Sequence, residues 1–239
     1  MKIFLDAGHN FSGSDTGASG FGLKEQDITF EIADKLRTLF QNAGHEVKMS
    51  REKLTDNVGN GTVASSITGR AALANNWGAD LFISIHTNAY NGSARGTETL
   101  VYGLGGEAGE IAKRVQNEIT GRLGTIDRGV KARPDLGVLR MTNMPALLIE
   151  TAFIDNEDDA WFLKNKQDGF ARAIFYGISD EDVKEISELV KPNDIVWEYA
   201  RRGIVKDSVG MVKEMEAAPD GRLYWLARKA LAYMRERGI

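Results

Sequence analysis

Two of the three histidines in this 239-residue chain stand directly after short apolar segments that are typical of buried strands. His9 follows KIFLDAG at residues 2–8, and His86 follows the run LFISI. Glu150 ends a third apolar run, and Glu25 opens a helical pattern on the same face as its apolar residues. Because ligands of an open parallel sheet bind beyond the carboxyl ends of its strands, these four side chains are expected to meet at one edge.

Two imidazoles and a carboxylate are a ligand set of catalytic zinc sites, which leave a fourth position for water. Zinc lowers the pKa of that water to about 7. A second carboxylate that is not a ligand can accept the water's proton and pass it to a leaving amine. The residues therefore suggest hydrolysis of a carbonyl bond, most readily an amide, with Glu150 in the acid/base role.

Each of these residues also has a structural explanation. A histidine at a strand end is often a packed side chain, and an acid in the first turn of a helix is favoured by the helix dipole. Glu150 could instead accept hydrogen bonds from loop backbone. Residue spacing alone leaves these interpretations open. Arg70 and Asn88 are candidate substrate contacts, although each could equally cap a helix or hold a loop.

Strand and helix patterns alternate up to about residue 178, which is typical of βαβ units. Strand patterns fall at residues 2–8, 45–51, 80–86, 96–103 and 146–150, and 96–103 alternates like a half-buried edge strand. Helical periodicity falls at 25–42, 68–79, about 107–123 and about 157–177. The sequence predicts one α/β domain over 1–178, with a mostly parallel sheet flanked by helices on both faces.

Residues 179–239 contain no convincing strand pattern, and their helical spacing predicts a small all-α C-terminal module. Its aromatic residues suit either stacking on sugars in a wall-targeting module or packing within a small helical core. Homodimerisation through this module is a further alternative.

Composition excludes several classes of function. A net charge of −4 and a pI near 5.5 give no electrostatic case for nucleic-acid binding. The chain has no cysteine, so it has no disulfide, thiolate metal site or cysteine nucleophile. No window approaches the ~18 apolar residues of a membrane span, so we predict no membrane insertion. The N-terminus lacks the apolar core of a signal peptide, which predicts a soluble product synthesised in the cytoplasm.

An ordered set of motifs carries a family resemblance. LDAGHN, GLKEQDITFEIADKL, FISIHTNA and MPALLIETAFIDN contain the four site residues, and SREKLTDN, RAALAN, RGTETLVY and DRGVKARPDLGVLR lie between them. Together they resemble the zinc-dependent N-acetylmuramoyl-L-alanine amidases, which cleave bacterial cell-wall peptidoglycan. The resemblance covers the whole predicted α/β domain. The family usually has further glycines after the first histidine, where this chain has Asn10 and Phe11, a difference that affects loop shape more than ligation.

The resemblance implies one zinc ion held by His9, Glu25 and His86, with Glu150 as catalytic acid/base. It also implies a substrate, the amide between the lactyl group of N-acetylmuramic acid and L-alanine of the stem peptide. The ligand set alone leaves two alternatives: another zinc hydrolase of the wall, such as a stem-peptide peptidase or a deacetylase, and a non-catalytic wall-binding protein. A wall substrate without a signal peptide suggests a phage endolysin released through a holin pore or an autolysin released by host-cell lysis.

Overall fold

The computed structural model describes residues 1–179, so the helical module predicted for 179–239 lies outside these residues except for Ser179. Met1–Ile178 form one compact unit. Its strands are β1 (Lys2–Ala7), β2 (Ser19–Gly20), β3 (Leu23–Lys24), β4 (Glu46–Met49), β5 (Leu81–Asn88), β6 (Thr97–Val101), β7 (Asp127–Ala132) and β8 (Ala146–Phe153). Its helices are α1 (Glu25–Asn42), α2 (Val63–Trp77), α3 (Gly106–Leu123), α4 (Gly137–Met141), α5 (Glu157–Asn165) and α6 (Gln167–Ser179).

A six-stranded sheet in the order β4-β1-β5-β8-β6-β7 forms the centre of this unit. The first four of these strands are parallel, β6 runs antiparallel to β8, and β7 is parallel to β6. The carboxyl ends of β1, β5 and β8 therefore lie side by side at one edge of the sheet. Strands β2 and β3 form a separate short hairpin immediately before α1.

Alternate strand residues pack into two apolar cores, one on each face of the sheet. Leu5 and Ile83 lie in the core that contains the apolar faces of α1, α3, α5 and α6. Phe4 and Phe82 lie in the smaller core with α2 and α4. Each fully buried side chain of this size contributes ~1.5–3 kcal/mol. The predicted mostly parallel sheet with helices on both faces is confirmed.

Helix α1 has the predicted bounds because its apolar residues recur every four positions. Ile28, Ile32, Leu36 and Phe40 are all at most 4% exposed, and they press the helix onto the sheet with Glu25 at its first position. Within residues 1–179, no helix combines the length and the apolar character needed to cross a membrane.

Two predicted helix bounds differ from the structure. Helix α2 begins at Val63 rather than near residue 68, because the Thr62 side chain accepts a hydrogen bond from Ser65 N and caps an earlier start. Thr68, the first residue of the predicted range, lies inside the helix and donates to Ala64 O over 2.8 Å. The single helix predicted at 157–177 is two helices, interrupted at Lys166.

Strand β6 was predicted at an edge, and this position is wrong. It lies inside the sheet between β8 and β7, and all five of its residues are buried. The edge strand on this side is β7, as β4 is on the other. No strand was predicted at β7, which carries charged residues and Gly129. Such charges are typical of edge strands, which must not pair with other chains.

Candidate metal centre

His9, Glu25 and His86 meet at the carboxyl edge of the sheet. Glu25 Oε1 lies 3.1 Å from both His9 Nε2 and His86 Nδ1. The three candidate ligand atoms lie within 4.8 Å of one another, and the two imidazole rings approach edge to face with centroids 4.8 Å apart. Two imidazoles and a carboxylate brought this close together form a donor set that can hold a single metal ion.

Neighbouring elements fix each of these side chains. Strands β1 and β5 pair with Ala7 opposite Ile85, which brings the residues that follow, His9 and His86, to the same edge. Glu25 is held at the start of α1, where its carboxylate accepts the N–H groups of Ala18 and Thr87 over 2.8 and 2.9 Å. These two hydrogen bonds hold the Glu25 carboxylate in position even when no cation is bound.

His9 reaches the cluster through an unusual backbone conformation. Its φ is 68°, a left-handed value that few residues other than glycine adopt. The preceding Gly8 leaves room for the second imidazole: a Cβ on Gly8 would lie 2.6 Å from two atoms of the His86 ring and 2.7 Å from Ile85 O. The strained backbone of His9 and the close approach of Gly8 to the His86 ring therefore lie at the same place, where the two imidazole rings meet.

We expect Gly8→Ala to displace the His86 ring and to destabilise the protein by ~1–3 kcal/mol, as overpacking does. Denaturant unfolding and zinc titration against a chromophoric chelator would measure both effects. Gly103→Ala is the matched control, because a Cβ there meets nothing within 4 Å. Unchanged zinc affinity in Gly8→Ala would show that this glycine does not shape the cluster.

The cluster is electrostatically prepared for a cation. Burial would raise the pKa of Glu25, but hydrogen bonds with His86 and His9 outweigh it and hold that pKa well below its usual range. Burial would lower the pKa of His9, but hydrogen bonds with Asp15 and Glu25 raise it to about 9. Burial lowers the pKa of His86. A proton on His9 thus balances the Glu25 carboxylate where a metal ion would otherwise do so.

A chain of buried polar groups supports His9 from behind. Its Nδ1 lies 2.7 Å from Asp15 Oδ1, which leaves Nε2 directed at Glu25. Arg70 lies 3.5 Å from Asp15 and donates to Asp6 over 3.0 Å. Burial tends to raise the pKa of Asp15, but the hydrogen bond with His9 and the Arg70 charge are among the effects that lower it to about 2.

Arg70 occupies a different place from the one expected of a substrate contact. Its side chain is only 3% exposed, and its guanidinium points inward to Asp6 and Asp15. No part of that guanidinium is available at the open edge. The arrangement of Arg70 and Asp15 is instead that of second-layer groups that orient a metal-ligating histidine.

We expect Asp15→Asn to weaken zinc binding about 10- to 100-fold, because outer partners fix the tautomer and orientation of a ligating histidine. Competition with a chelator of known affinity would measure the change. Asp158→Asn, which removes an exposed carboxylate paired with Arg95, is the control. If both variants bound zinc as the natural chain does, Asp15 would have no orienting role.

Glu150 lies beside the cluster on β8, directly opposite His86 in the parallel pairing. Its Oε2 is buried and has no hydrogen-bond partner among the described residues. Burial, the charge of Glu25 and the charge of Glu98 raise the pKa of this carboxyl to about 8. An unpaired, proton-binding carboxyl next to a candidate metal site is suited to moving a proton.

Glu98 is a site residue that the sequence patterns did not single out. It lies opposite Glu150 in the antiparallel pairing of β6 with β8. Its carboxylate is held by Arg128 over 3.0 Å and Lys131 over 2.5 Å. Asn88, the second candidate substrate contact, donates to Glu98 Oε1 over 3.2 Å and is half-buried at the end of β5. The sequence signal that could have identified Glu98 is a charged side chain within a predicted strand.

A sheet that carries a histidine–glutamate–histidine cluster and a half-buried glutamate at its carboxyl edge defines an α/β protein with a hydrolase-type candidate metal centre. Residues 3–180 match the family described as N-acetylmuramoyl-L-alanine amidase, and the chain belongs to this family.

Relatives of known sequence and structure agree with this assignment. The chain is 42% identical over 166 residues to N-acetylmuramoyl-L-alanine amidase CwlM of Bacillus licheniformis, an alignment that covers 69% of this chain and 61% of that relative. It is 36% identical over 236 residues to the endolysin of Bacillus phage SPP1, covering 95% of this chain and 80% of the endolysin. The crystal structure of an N-acetylmuramoyl-L-alanine amidase from Clostridium difficile 630 matches with a TM-score of 0.66 and 33% identity, covering 77% and 97% of the two chains.

The alignment spans only part of some relatives. It covers 61% of CwlM and 60% of the sporulation-specific N-acetylmuramoyl-L-alanine amidase of Bacillus subtilis.

Proposed function

We propose that this protein is a peptidoglycan hydrolase that cleaves the amide between the lactyl group of N-acetylmuramic acid and L-alanine of the stem peptide. One observation carries the proposal: His9, Glu25 and His86 converge beside the unpaired carboxyl of Glu150 on the fold of the amidase family. The names of the relatives in this family support the choice of substrate.

We propose further that one zinc ion is held by His9, Glu25 and His86. The fit rests on the donor set, two imidazole nitrogens and one anionic carboxylate, and on their mutual distances. When bound, zinc supplies polarisation of the scissile carbonyl and acidification of the attacking water. Asp15 keeps the His9 ring in place, and the N–H groups of Ala18 and Thr87 keep the Glu25 carboxylate in place.

Glu150 moves the proton. Its carboxylate accepts a proton from the attacking water as the new C–O bond forms at the carbonyl carbon. The same carboxyl then donates that proton to the alanine nitrogen as the C–N bond breaks, which leaves a lactyl carboxylic acid and a free amine. The proton of this acid then passes to the amine, so the products are a lactyl carboxylate and an alanine ammonium group. In the metal-free protein, burial and the neighbouring charges of Glu25 and Glu98 raise its pKa to about 8, so these surroundings favour the protonated form that carries the proton between the two steps.

The domain assignment is part of this proposal. Residues 1–178 would form the catalytic domain, and 179–239 would form a separate module that targets the wall or dimerises. The alignment with the SPP1 endolysin covers 95% of this chain, which supports action on the cell wall after release from a lysing host. Peptidoglycan is the proposed partner.

Digestion of purified peptidoglycan, with and without a chelator, tests the proposal when the new end groups are identified. We expect new alanine amino groups without new reducing sugars, lost on chelation and restored by zinc. New amines from another stem-peptide residue would favour a peptidase, and released acetate would favour a deacetylase. Binding to the wall with no new ends would contradict catalysis.

A further inference from the structure

The short hairpin before α1 places an aromatic side chain in a strained turn. Strands β2 and β3 pair Gly20 with Leu23, so Phe21 and Gly22 form a two-residue loop. Both loop residues have positive φ, 50° and 75°, as in the type I′ turns that favour Asn-Gly. A bulky residue is disfavoured at such a φ. Apart from His9, Phe21 is the only non-glycine residue with positive φ among residues 1–179.

Packing of its own ring does not explain this strain, because Phe21 is 59% exposed. A phenylalanine that is both strained and largely in water stabilises neither the turn nor the core. The other left-handed residue, His9, contributes its side chain to the candidate metal centre. Strain that does not serve folding points to a role in binding.

The hairpin is anchored to the site at both ends. Backbone N–H of Glu25 donates to Ala18 O over 2.9 Å, and Ala18 N donates to Glu25 Oε2 over 2.8 Å. Gly20 lies so close to Ile154 that a Cβ there would be 2.2 Å from Ile154 O. The turn is therefore fixed between the start of α1 and the loop that follows β8.

A second exposed aromatic residue approaches the same loop. Tyr90 is 79% exposed and lies four residues after His86. Asp155 Oδ2 accepts the backbone N–H groups of Tyr90 and Gly92 over 3.0 and 2.9 Å. The loop after β5 and the hairpin therefore both contact the segment Ile154–Asp155.

We propose that Phe21 and Tyr90 form an aromatic platform at the rim of the site. This platform binds a pyranose ring of the glycan strand, next to the muramic acid residue whose lactyl amide is cleaved. This inference rests on the proposed function. Phe21 lies four residues before Glu25, and Tyr90 four after His86. At ~3.3 Å per residue, the Cα atom of each aromatic residue lies at most about 13 Å from that of a site residue.

The occupant follows from the chemistry of the two side chains. Flat aromatic faces bury apolar surface against the C–H groups of a pyranose, while the sugar hydroxyls stay in water or bond polar groups. The loop of Tyr90 carries polar side chains at Asn91 and Ser93, which follow it in sequence and are hydrogen-bonded to each other. A charged and flexible stem peptide offers no comparable flat face, so the platform fits the glycan strand.

Phe21→Asn tests the platform without weakening the turn, because asparagine favours left-handed φ and the Asn-Gly pair is preferred in type I′ turns. The full chain is assayed on soluble glycan chains that carry stem peptides and on a single N-acetylmuramoyl peptide. Losing one aromatic contact should raise KM on the chains about 2- to 10-fold. Because the sugar contact is uniform binding, kcat should not change. KM on the single-sugar substrate should stay the same.

Three further variants sharpen this test. Phe21→Trp should keep the low KM, and Tyr90→Asn should raise KM on the chains as Phe21→Asn does. Tyr102→Asn removes a 55% exposed ring that follows β6 at the opposite edge of the sheet, and it should change nothing. Unchanged KM on the chains in both Phe21→Asn and Tyr90→Asn would overturn the platform. An equal rise on the single-sugar substrate would also overturn it, because the contact would then be to the peptide.

A binding measurement separates this inference from the proposed function. Peptide-free glycan chains contain no scissile amide, so their equilibrium affinity for the full chain does not depend on catalysis. We expect Phe21→Asn to weaken that affinity about 2- to 10-fold. If the natural chain releases no alanine amine from any substrate, the proposed function fails, and this affinity still decides the platform. Equal affinities of the natural chain and Phe21→Asn would reject it.

Discussion

Glu150→Gln is expected to lower kcat by about 10²- to 10⁴-fold while the protein still binds zinc. Glutamine has nearly the shape of glutamate but cannot accept the proton of the attacking water. The candidate ligand cluster consists of His9, Glu25 and His86 and does not include Glu150. The variant should therefore lose the chemical step and keep the metal.

The same variant should be at least as stable as the natural chain in its metal-free form. Folding raises the pKa of Glu150 to about 8, so ionising this carboxyl costs folding free energy as the pH rises from 4.5 toward 8. Its Oε2 is also buried without a hydrogen bond among the described residues. Glutamine does not titrate, so the variant avoids this pH-dependent penalty, and its unfolding temperature at neutral pH should not fall, as is common when a strained active site is relieved.

Release of alanine amines, zinc content and thermal unfolding together measure this prediction. Glu157→Gln, at an exposed carboxylate in the first turn of α5, is the matched control: it should leave amine release and zinc content unchanged and lower the unfolding temperature only slightly, because it removes a charge that the helix dipole favours. Full activity of Glu150→Gln would remove this residue from the mechanism. Loss of zinc together with activity would make it a ligand instead of an acid/base.

The sequence predicted the placement of these groups because simple periodicities determine it. His9 follows β1, and His86 and Glu150 lie in the second halves of β5 and β8. The carboxyl ends of neighbouring parallel strands share one edge. Glu25 shares a helix face with Ile28, which packs on the sheet. These relations depend on residue order alone, so no knowledge of tertiary contacts was needed.

Other parts of the site depend on contacts between distant residues and left no local pattern. Arg70 donates a hydrogen bond to Asp6, which lies 64 positions away in sequence. The helical pattern around Arg70 therefore gave no sign that its side chain forms a buried ion pair. Glu98 belongs to a strand that was placed at the edge, because charges in β7 concealed the true edge strand. Phe21 looked like an ordinary loop residue, since its strain is visible only in the backbone angle.

His86→Ala is expected to lose both zinc and activity, which distinguishes it from Glu150→Gln. His86 supplies one of three candidate ligands, and its Nδ1 lies 3.1 Å from Glu25 Oε1. The loss of affinity should exceed the 10- to 100-fold expected when an outer partner such as Asp15 is removed. Two remaining ligands cannot form the three-ligand site of a catalytic zinc.

Thermal unfolding gives this prediction a readout that does not require activity. A ligand that binds only the folded state stabilises it by about 2.7 kcal/mol at a concentration of 100 times its Kd, so zinc should raise the unfolding temperature of the natural chain. His86→Ala should lose that shift. His45→Ala removes an imidazole that lies against Phe40, outside the cluster, and should keep it. An unchanged zinc-dependent shift in His86→Ala would place the metal elsewhere, whereas a shift lost only in His86→Ala would tie metal binding to the edge where β1 and β5 end.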